Sequence, residues 1–383
     1  LRVAALLQPI YQNLDQWEDL VNVYEIQIEG LDDQYQKIEY LKECAKLYDA
    51  RGNRLDRAFT SLSQAWLLET GDRDLFEALY QLAVRQNNWP QLIEVYEKGI
   101  TDAYDTDLQV TVLLRIARVQ AEILTQPTEA RKSYLRVLEV QEDHLEALTE
   151  LALLLEELEA WEELGTILDR RSYLLHEPEE SVRTLRQLAL LQQKLGQDAS
   201  AVETWKRLLE VSPGEAGALR ALEALYEAGE NWSELAEVLR SLAEVAETSE
   251  FSVSLKLARV QEEKLEDNYE AISTLQRILA SASDHLPALQ SCARLYEKEQ
   301  NWMELIATLN QMVVLEADDA RRNELIYRIA HVLQHELNDV EQAVKKYQSI
   351  LEFDSRHEKT IGALEELLRS EEHTSELQSR QVI

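Results

Sequence analysis

Residues 189–213 read ALLQQKLGQDASAVETWKRLLEVSP. Two small residues, Ala189 and Ala201, stand 12 positions apart, with Gly196 and Asp198 between them. A bulky residue, Trp205, follows the second alanine by four positions. Four positions are about one helical turn, so Ala201 and Trp205 share a helix face. A glycine and then an aspartate between two runs of helix formers mark the stop of one helix and the start of the next. A small side chain on each helix lets the two backbones approach closely. The stretch predicts an antiparallel helical hairpin.

The same arrangement recurs along the chain. Ala45, Ala117, Ala189, Ala258 and Ala330 are each followed after 12 or 13 residues by Ala58, Ala130, Ala201, Ala271 and Ala343. Four positions beyond each second alanine stands Leu62, Tyr134, Trp205, Leu275 or Tyr347. A second set runs in phase with the first. Trp17, Trp89, Trp161, Trp232 and Trp302 are spaced 72, 72, 71 and 70 residues apart, each with leucine three positions later. Seven positions after each tryptophan comes Tyr24, Tyr96, Leu168, Leu239 or Leu309. Positions i, i+3 and i+7 share one helical face, which predicts a buried stripe on a repeated helix. Asp56, Thr128, Asp198, Asn268 and Asp339 are the candidate N-caps before the second alanines. Gly52, Gly99, Gly196 and Gly229 fall where a hairpin turns or a helix stops.

Small residue, spacer of about 12, alanine, bulky residue at +4 and a closing proline resembles the tetratricopeptide repeat. Ala201, Trp205 and Pro213 carry that resemblance most fully. The other units lack the proline, and alanine stands where the family pattern has glycine. The hairpins that carry the tryptophans depart further from the pattern. The resemblance implies an all-α solenoid over residues 1–368: a right-handed superhelix of stacked antiparallel hairpins, ten in number, with a further helix from Thr360 to Leu368. Each hairpin is too small to bury its own apolar face and stacks on the next. The fourth superrepeat is two residues short, and that deletion is expected in the loop around Glu247 to Glu250.

The pattern breaks at Arg369, where Arg369-Ser-Glu-Glu-His-Thr-Ser-Glu-Leu-Gln-Ser379 resembles the in-frame translation of a sequencing adapter. Residues 369–383 are therefore expected to be non-native, and the array is expected to continue past Leu368 with more repeats.

Composition narrows the function classes. The 383 residues carry 39 basic and 72 acidic side chains, a formal net charge of −33. A nucleic-acid backbone or an anionic membrane would be repelled over most of such a surface. No apolar run is long enough to span a bilayer. The 10 Gly and 6 Pro are few for the length, as hairpins in series require. Two cysteines, Cys44 and Cys292, stand at apolar helix positions and read as core residues. No disulfide framework follows from them, and a reducing, cytoplasmic setting fits them.

Catalytic signatures are absent from the sequence. There is no GxGxxG, no GxxxxGK[ST] and no GxSxG. No cofactor and no metal centre is expected. His331 and His335 share a helix face at i, i+4, but the sequence lacks a third zinc ligand. His144, His285 and His357 recur at one repeat position, just after a helix start, which argues for a shared structural role.

One constellation points to binding. The residue after each first alanine is Lys46, Arg118, Leu190, Arg259 or His331. In the family that the chain resembles, this position tends to face the groove lined by first helices. A basic ladder in an acidic chain would suit a carboxylate-bearing peptide. The same cations can instead pair within their helices, since Arg118 has Glu122 and Arg259 has Glu263 at i+4. The basic-plus-asparagine clamp of chaperone-binding members is not reproduced, since Leu114, Leu255 and Tyr327 stand nearby. The expected function is a non-catalytic scaffold that holds peptide or helical segments of protein partners. The alternative is a repeat segment of a larger enzyme or signalling protein.

Overall fold

The computed structural model describes residues 2–101, 105–245 and 251–380. The expected loop from Glu247 to Glu250 lies outside the described residues. Helices pair in chain order. The hairpins are α1 (Arg2–Asn13) with α2 (Trp17–Gly30), α3 (Gln34–Ala50) with α4 (Leu55–Leu68), and α5 (Arg73–Gln86) with α6 (Trp89–Ile100). Next come α7 (Thr106–Arg118) with α8 (Pro127–Val140), α9 (Leu145–Glu157) with α10 (Trp161–Leu174), and α11 (Pro178–Lys194) with α12 (Asp198–Val211). The remainder are α13 (Ala216–Ala228) with α14 (Trp232–Val245), α15 (Ser252–Glu263) with α16 (Asn268–Ser281), α17 (Leu286–Lys298) with α18 (Trp302–Leu315), and α19 (Asp319–His335) with α20 (Val340–Phe353). The last helix, α21 (Glu358–Arg380), is longer at both ends than the expected Thr360–Leu368.

Each of the ten described hairpins turns through one left-handed residue. Nine of these are Asp15, Asn53, Asn87, Thr125, Glu159, Glu230, Glu266, Gln300 and Asn338, and the tenth is Gly196 at φ 71°. A non-glycine residue in this conformation costs about 1–2 kcal/mol. The hairpin geometry therefore overrides local preference, and glycine marks the turn only once. Gly99 is the penultimate residue of α6, at the stop of that helix. A Cβ there would stand 2.2 Å from the Trp66 ring, so close packing explains this glycine. Gly52 sits in the turn after α3, and Gly229 closes α13.

Capping differs from the expected positions. Asp339 does cap α20, bonding the Gln342 N–H at 3.1 Å. Asp56 and Thr128 instead sit inside the first turns of α4 and α8, behind Arg54 and Gln126. Asn268 opens α16 and Asp267 caps it, accepting from Glu270 N at 3.0 Å.

The chain divides into two compact units, residues 1–204 and 205–383, with the division inside α12. In the first unit, Leu20, Tyr24, Ala45, Ala58, Trp66, Leu92, Tyr96, Ala117, Ala130, Tyr134, Leu164 and Leu168 belong to one continuous apolar core. In the second, Ala258, Ala271, Leu275, Cys292, Leu305, Leu309, Ala330, Ala343 and Tyr347 form another. All ten repeating alanines are buried, Ala189 and Ala201 completely. The tryptophans behave differently from the expected stripe. Each is the first residue of its helix, and only Trp89 is buried, while Trp17, Trp161, Trp232 and Trp302 are half-buried. The leucine three positions on carries the core contact. Cations cover the ring faces left open: Lys194 Nζ lies 3.7 Å from the Trp161 ring centre and Lys264 Nζ 4.5 Å from that of Trp232. Such contacts contribute about 0.5–1 kcal/mol at exposed sites.

In three of the five alanine hairpins, a polar bridge stands three positions beyond the alanines. Gln120 Oε1 accepts from Ser133 Oγ at 2.7 Å, Gln192 Oε1 from Thr204 Oγ1 at 2.8 Å, and Gln261 Oε1 from Thr274 Oγ1 at 2.8 Å. Each bridge ties the two helices of an alanine hairpin. After Arg118, the backbone passes into a five-residue π-helical turn, Val119–Ile123, which includes Gln120.

Candidate interaction groove

Within each compact unit, ion pairs link several neighbouring first helices. In the first unit, Lys42 on α3 reaches Asp72, the N-cap of α5, at 3.0 Å. Arg85 on α5 grips Asp49 on α3 with two bonds of 2.7 Å. Arg115 and Arg118 on α7 reach Glu77 on α5 and Glu146 on α9. In the second unit, Lys256 on α15 reaches Glu223 at 2.6 Å and Glu227 at 2.8 Å on α13. Arg294 on α17 holds Glu262 on α15 with bonds of 2.5 and 2.7 Å. Arg328 on α19 pairs with Glu297 on α17, and Lys359 on α21 with Glu324 on α19 at 2.7 Å.

These pairs leave hollows between the first helices. One, of about 430 Å³, lies between α3 and α5 over Ala45, Ala58, Leu62, Leu75, Ala78 and Leu82. Another, of about 410 Å³, lies between α17 and α19 over Leu286, Met312, Leu325 and Tyr327, with Gln290, Arg321, Arg328 and His331 also lining it. Their floors are apolar and their rims are charged pairs.

The ladder residues are distributed over several of these places. Lys46 lines the α3–α5 hollow and bonds Glu43 at 2.7 Å. Arg118 bonds Glu146 on the next hairpin, not Glu122 on its own helix. Leu190 is exposed. Arg259 lines a recess with Trp232, Leu255 and Lys256. His331 lines the α17–α19 hollow, with its ring 4.3 Å from that of His335. Burial, and then the neighbouring His335, hold His331 below the ordinary imidazole range, so at neutral pH it is not a standing cation. Lys46 and Arg118 fall in one unit, and Arg259 and His331 in the other. Among the described residues, no three of His, Cys, Asp and Glu are grouped to hold a metal ion.

The periodic histidines do share a structural role. His144 and His285 are the N-caps of α9 and α17, immediately before the helix rather than just inside it. The Nδ1 atoms accept from Ala147 N at 3.2 Å and Ala288 N at 3.3 Å. Asp72 and Glu215 cap α5 and α13 in the same way. Cys44 and Cys292 are buried and free, and burial pushes the thiols up to about 12 and about 11. The thiolate is the reactive form, so neither is a poised nucleophile.

Sequence spacing along a single helix could find only same-helix neighbours. The ion pairs between hairpins join residues about 30–40 positions apart, and their partners become visible only once the hairpins stack.

A sequence model of the tetratricopeptide repeat matches residues 183–214. This is the stretch from which the hairpin was read, with Ala189, Ala201, Trp205 and Pro213. No curated protein sequence matches the chain. Among solved structures, a tetratricopeptide repeat protein from Parabacteroides merdae is similar at 17% identity, over 68% of this chain and 98% of that one, with a TM-score of 0.30. The C-terminal part of a repeat-containing protein from Cytophaga hutchinsonii is similar at 12% identity, over 66% and 99%, with a TM-score of 0.31. A human IFIT1 dimer with m7Gppp-AAAA is similar at 15% identity, over 94% and 88%, with a TM-score of 0.26.

Proposed function

We propose that this chain of tetratricopeptide-type hairpins is a non-catalytic scaffold that binds extended or helical segments of protein partners along its first-helix face. The observation that carries the reading is the pair of apolar-floored hollows between α3 and α5 and between α17 and α19. Each is about the size of one large side chain with its neighbours, and each is framed by ion pairs that fix the spacing of the helices. Repeat arrays of this build present such hollows at regular intervals, which suits a segment that inserts one side chain per unit. The net charge of −33 favours partners with basic flanks, steered by long-range attraction, and disfavours a phosphate backbone. The bases on the face are largely committed to acidic partners, so selectivity for an acidic peptide rests on Arg259 and on exposed cations such as Arg321 rather than on a continuous ladder. The two buried, high-pKa thiols fit a chain without cysteine chemistry and a reducing compartment. No helix among the described residues is long and apolar enough to cross a membrane.

The test is a random peptide library panned against the immobilised chain. Enriched peptides are then measured against Ala78→Arg, which fills the α3–α5 hollow, and Leu325→Glu, which charges the α17–α19 hollow. A loss of at least tenfold in affinity with one variant supports the reading. Peptides bound equally by both variants and by wild type overturn it. A single-stranded RNA probe run in parallel at 150 mM salt is expected to show no binding.

A further inference from the structure

The chain has seven histidines, and two of them, His331 and His335, lie one turn apart on α19. Their ring centres are 4.3 Å apart and their planes cross at 44°. The histidines at helix starts already have a task. Nδ1 of His144 and of His285 accepts from a backbone N–H, and Nδ1 of His357 meets the Thr360 hydroxyl at 2.8 Å. Among the described residues, no hydrogen bond engages the ring of His331 or of His335. We propose that His331 and His335 form a two-imidazole site for a divalent transition-metal cation of tetragonal preference, copper(II) above all and nickel(II) after it.

The helix supplies the chelate. Residues i and i+4 project from one face, so a single ion can take one nitrogen from each ring. Imidazole suits copper, nickel and zinc, and geometry separates them. With each nitrogen about 2 Å from the ion, two bonds at a right angle put the ring centres roughly 4.5 Å apart, and a tetrahedral angle puts them about 5.2 Å apart. The observed 4.3 Å is nearer the right angle of a tetragonal ion. Zinc sites draw three or four donors from the protein. Among the described residues, no three of His, Cys, Asp and Glu are grouped to supply them. A copper(II) ion on two imidazoles completes its coordination with water.

The surroundings favour a cation. Glu336 follows His335, and Glu366 of α21 stands near enough for its charge to act on His331. Among the described residues, no base forms an ion pair with either carboxylate. They offset the charge of the ion without having to ligate it. The chain as a whole carries −33, which concentrates cations around it. Both side chains of the pair reach solvent, so the ion has an entry path. His331 also lines the α17–α19 hollow, which places the ion at the rim of that hollow.

The intact chain is titrated with copper(II) at pH 7.4 in excess magnesium(II), which occupies carboxylate sites and leaves imidazole free. The tightest-bound ion is expected to show hyperfine splitting from two equatorial nitrogens in electron paramagnetic resonance. His331→Gln and His335→Gln each keep a polar side chain on a solvent-facing helix surface. Each is expected to lose at least the roughly 10–100-fold in affinity that follows removal of a mere hydrogen-bond partner of a metal ligand. His176→Gln, in the α10–α11 connection, is expected to bind as wild type does. Equal affinity of wild type and His331→Gln/His335→Gln overturns the proposal. So does a spectrum with a single nitrogen, or zinc(II) held more tightly than copper(II). Melting gives a second reading: nickel(II) should raise the Tm of wild type and leave that of the double variant unchanged, because an ion that joins two turns binds only the folded helix. An equal rise in both would again overturn it.

Discussion

At the residue scale, small side chains decide what can stack. Ala189 and Ala201 have no exposed surface, and neither do Ala117, Ala130, Ala271, Ala330 and Ala343. Gly99 is the extreme case, because Trp66 fills the space where its Cβ would stand, with ring atoms at 2.2 and 2.4 Å. Alanine improves helix propensity by about 1 kcal/mol at an ordinary site. Here it must displace a fully buried indole within a cluster that also holds Phe76 and Tyr96. Gly99→Ala is therefore expected to lower stability by about 1–2 kcal/mol, the overpacking cost outweighing the propensity gain. A urea melt that shows the variant as stable as wild type would contradict this packing account. Sequence reading placed Gly99 at a helix stop, and α6 does end at Ile100. Nothing in the local sequence says that an indole from α4 lies against α6.

At the element scale, three of the alanine hairpins are held by their alanine pair and by a polar bridge beside it. The alanines were legible because they repeat at the superrepeat period and a small apolar residue has one obvious use between helices. The bridges were not, because glutamine, serine and threonine on a helix usually face water. Only burial of Gln120, Gln261 and their partners shows that they are internal. Removing one partner leaves a buried amide oxygen unsatisfied, at a cost of about 1–3 kcal/mol. Thr274→Val keeps the shape and deletes the donor to Gln261 Oε1, so it should destabilise by that amount. Replacing both, as Gln261→Leu/Thr274→Val, should recover most of the loss. Chemical denaturation of the two variants checks this, and a double variant weaker than the single would refute it. Turns show the same limit of local reading. Nine left-handed residues are not glycine, so backbone strain there is imposed by the pairing of helices and not announced by composition.

At the scale of the whole molecule, hairpins are joined by long-range ion pairs as well as by apolar contact. Arg85 holds the Asp49 carboxyl below its ordinary value. Burial alone would raise Asp72, but Lys42 and the N–H groups of Leu75 and Asp74 bring it below its ordinary value. A carboxyl whose folded pKa is depressed adds stability above its unfolded value, and that contribution is lost as pH falls through the folded one. Acid also relieves the self-repulsion of a chain at −33, so the raw melting curve mixes two effects. Comparison with Asp49→Asn separates them. The Tm deficit of this variant should be present at pH 7 and shrink toward zero as pH approaches 2. A deficit that persists in acid would mean that Asp49 acts by packing and not by charge. By itself the sequence determined the all-helical class, the hairpin period and the buried alanines, because these follow from periodicity and residue size along one chain. Only the tertiary structure decided which cations are free, which rings are capped and where the hollows lie. Those depend on residues 30–40 positions apart that meet when hairpins stack, and no local pattern encodes which of many acids each base will reach.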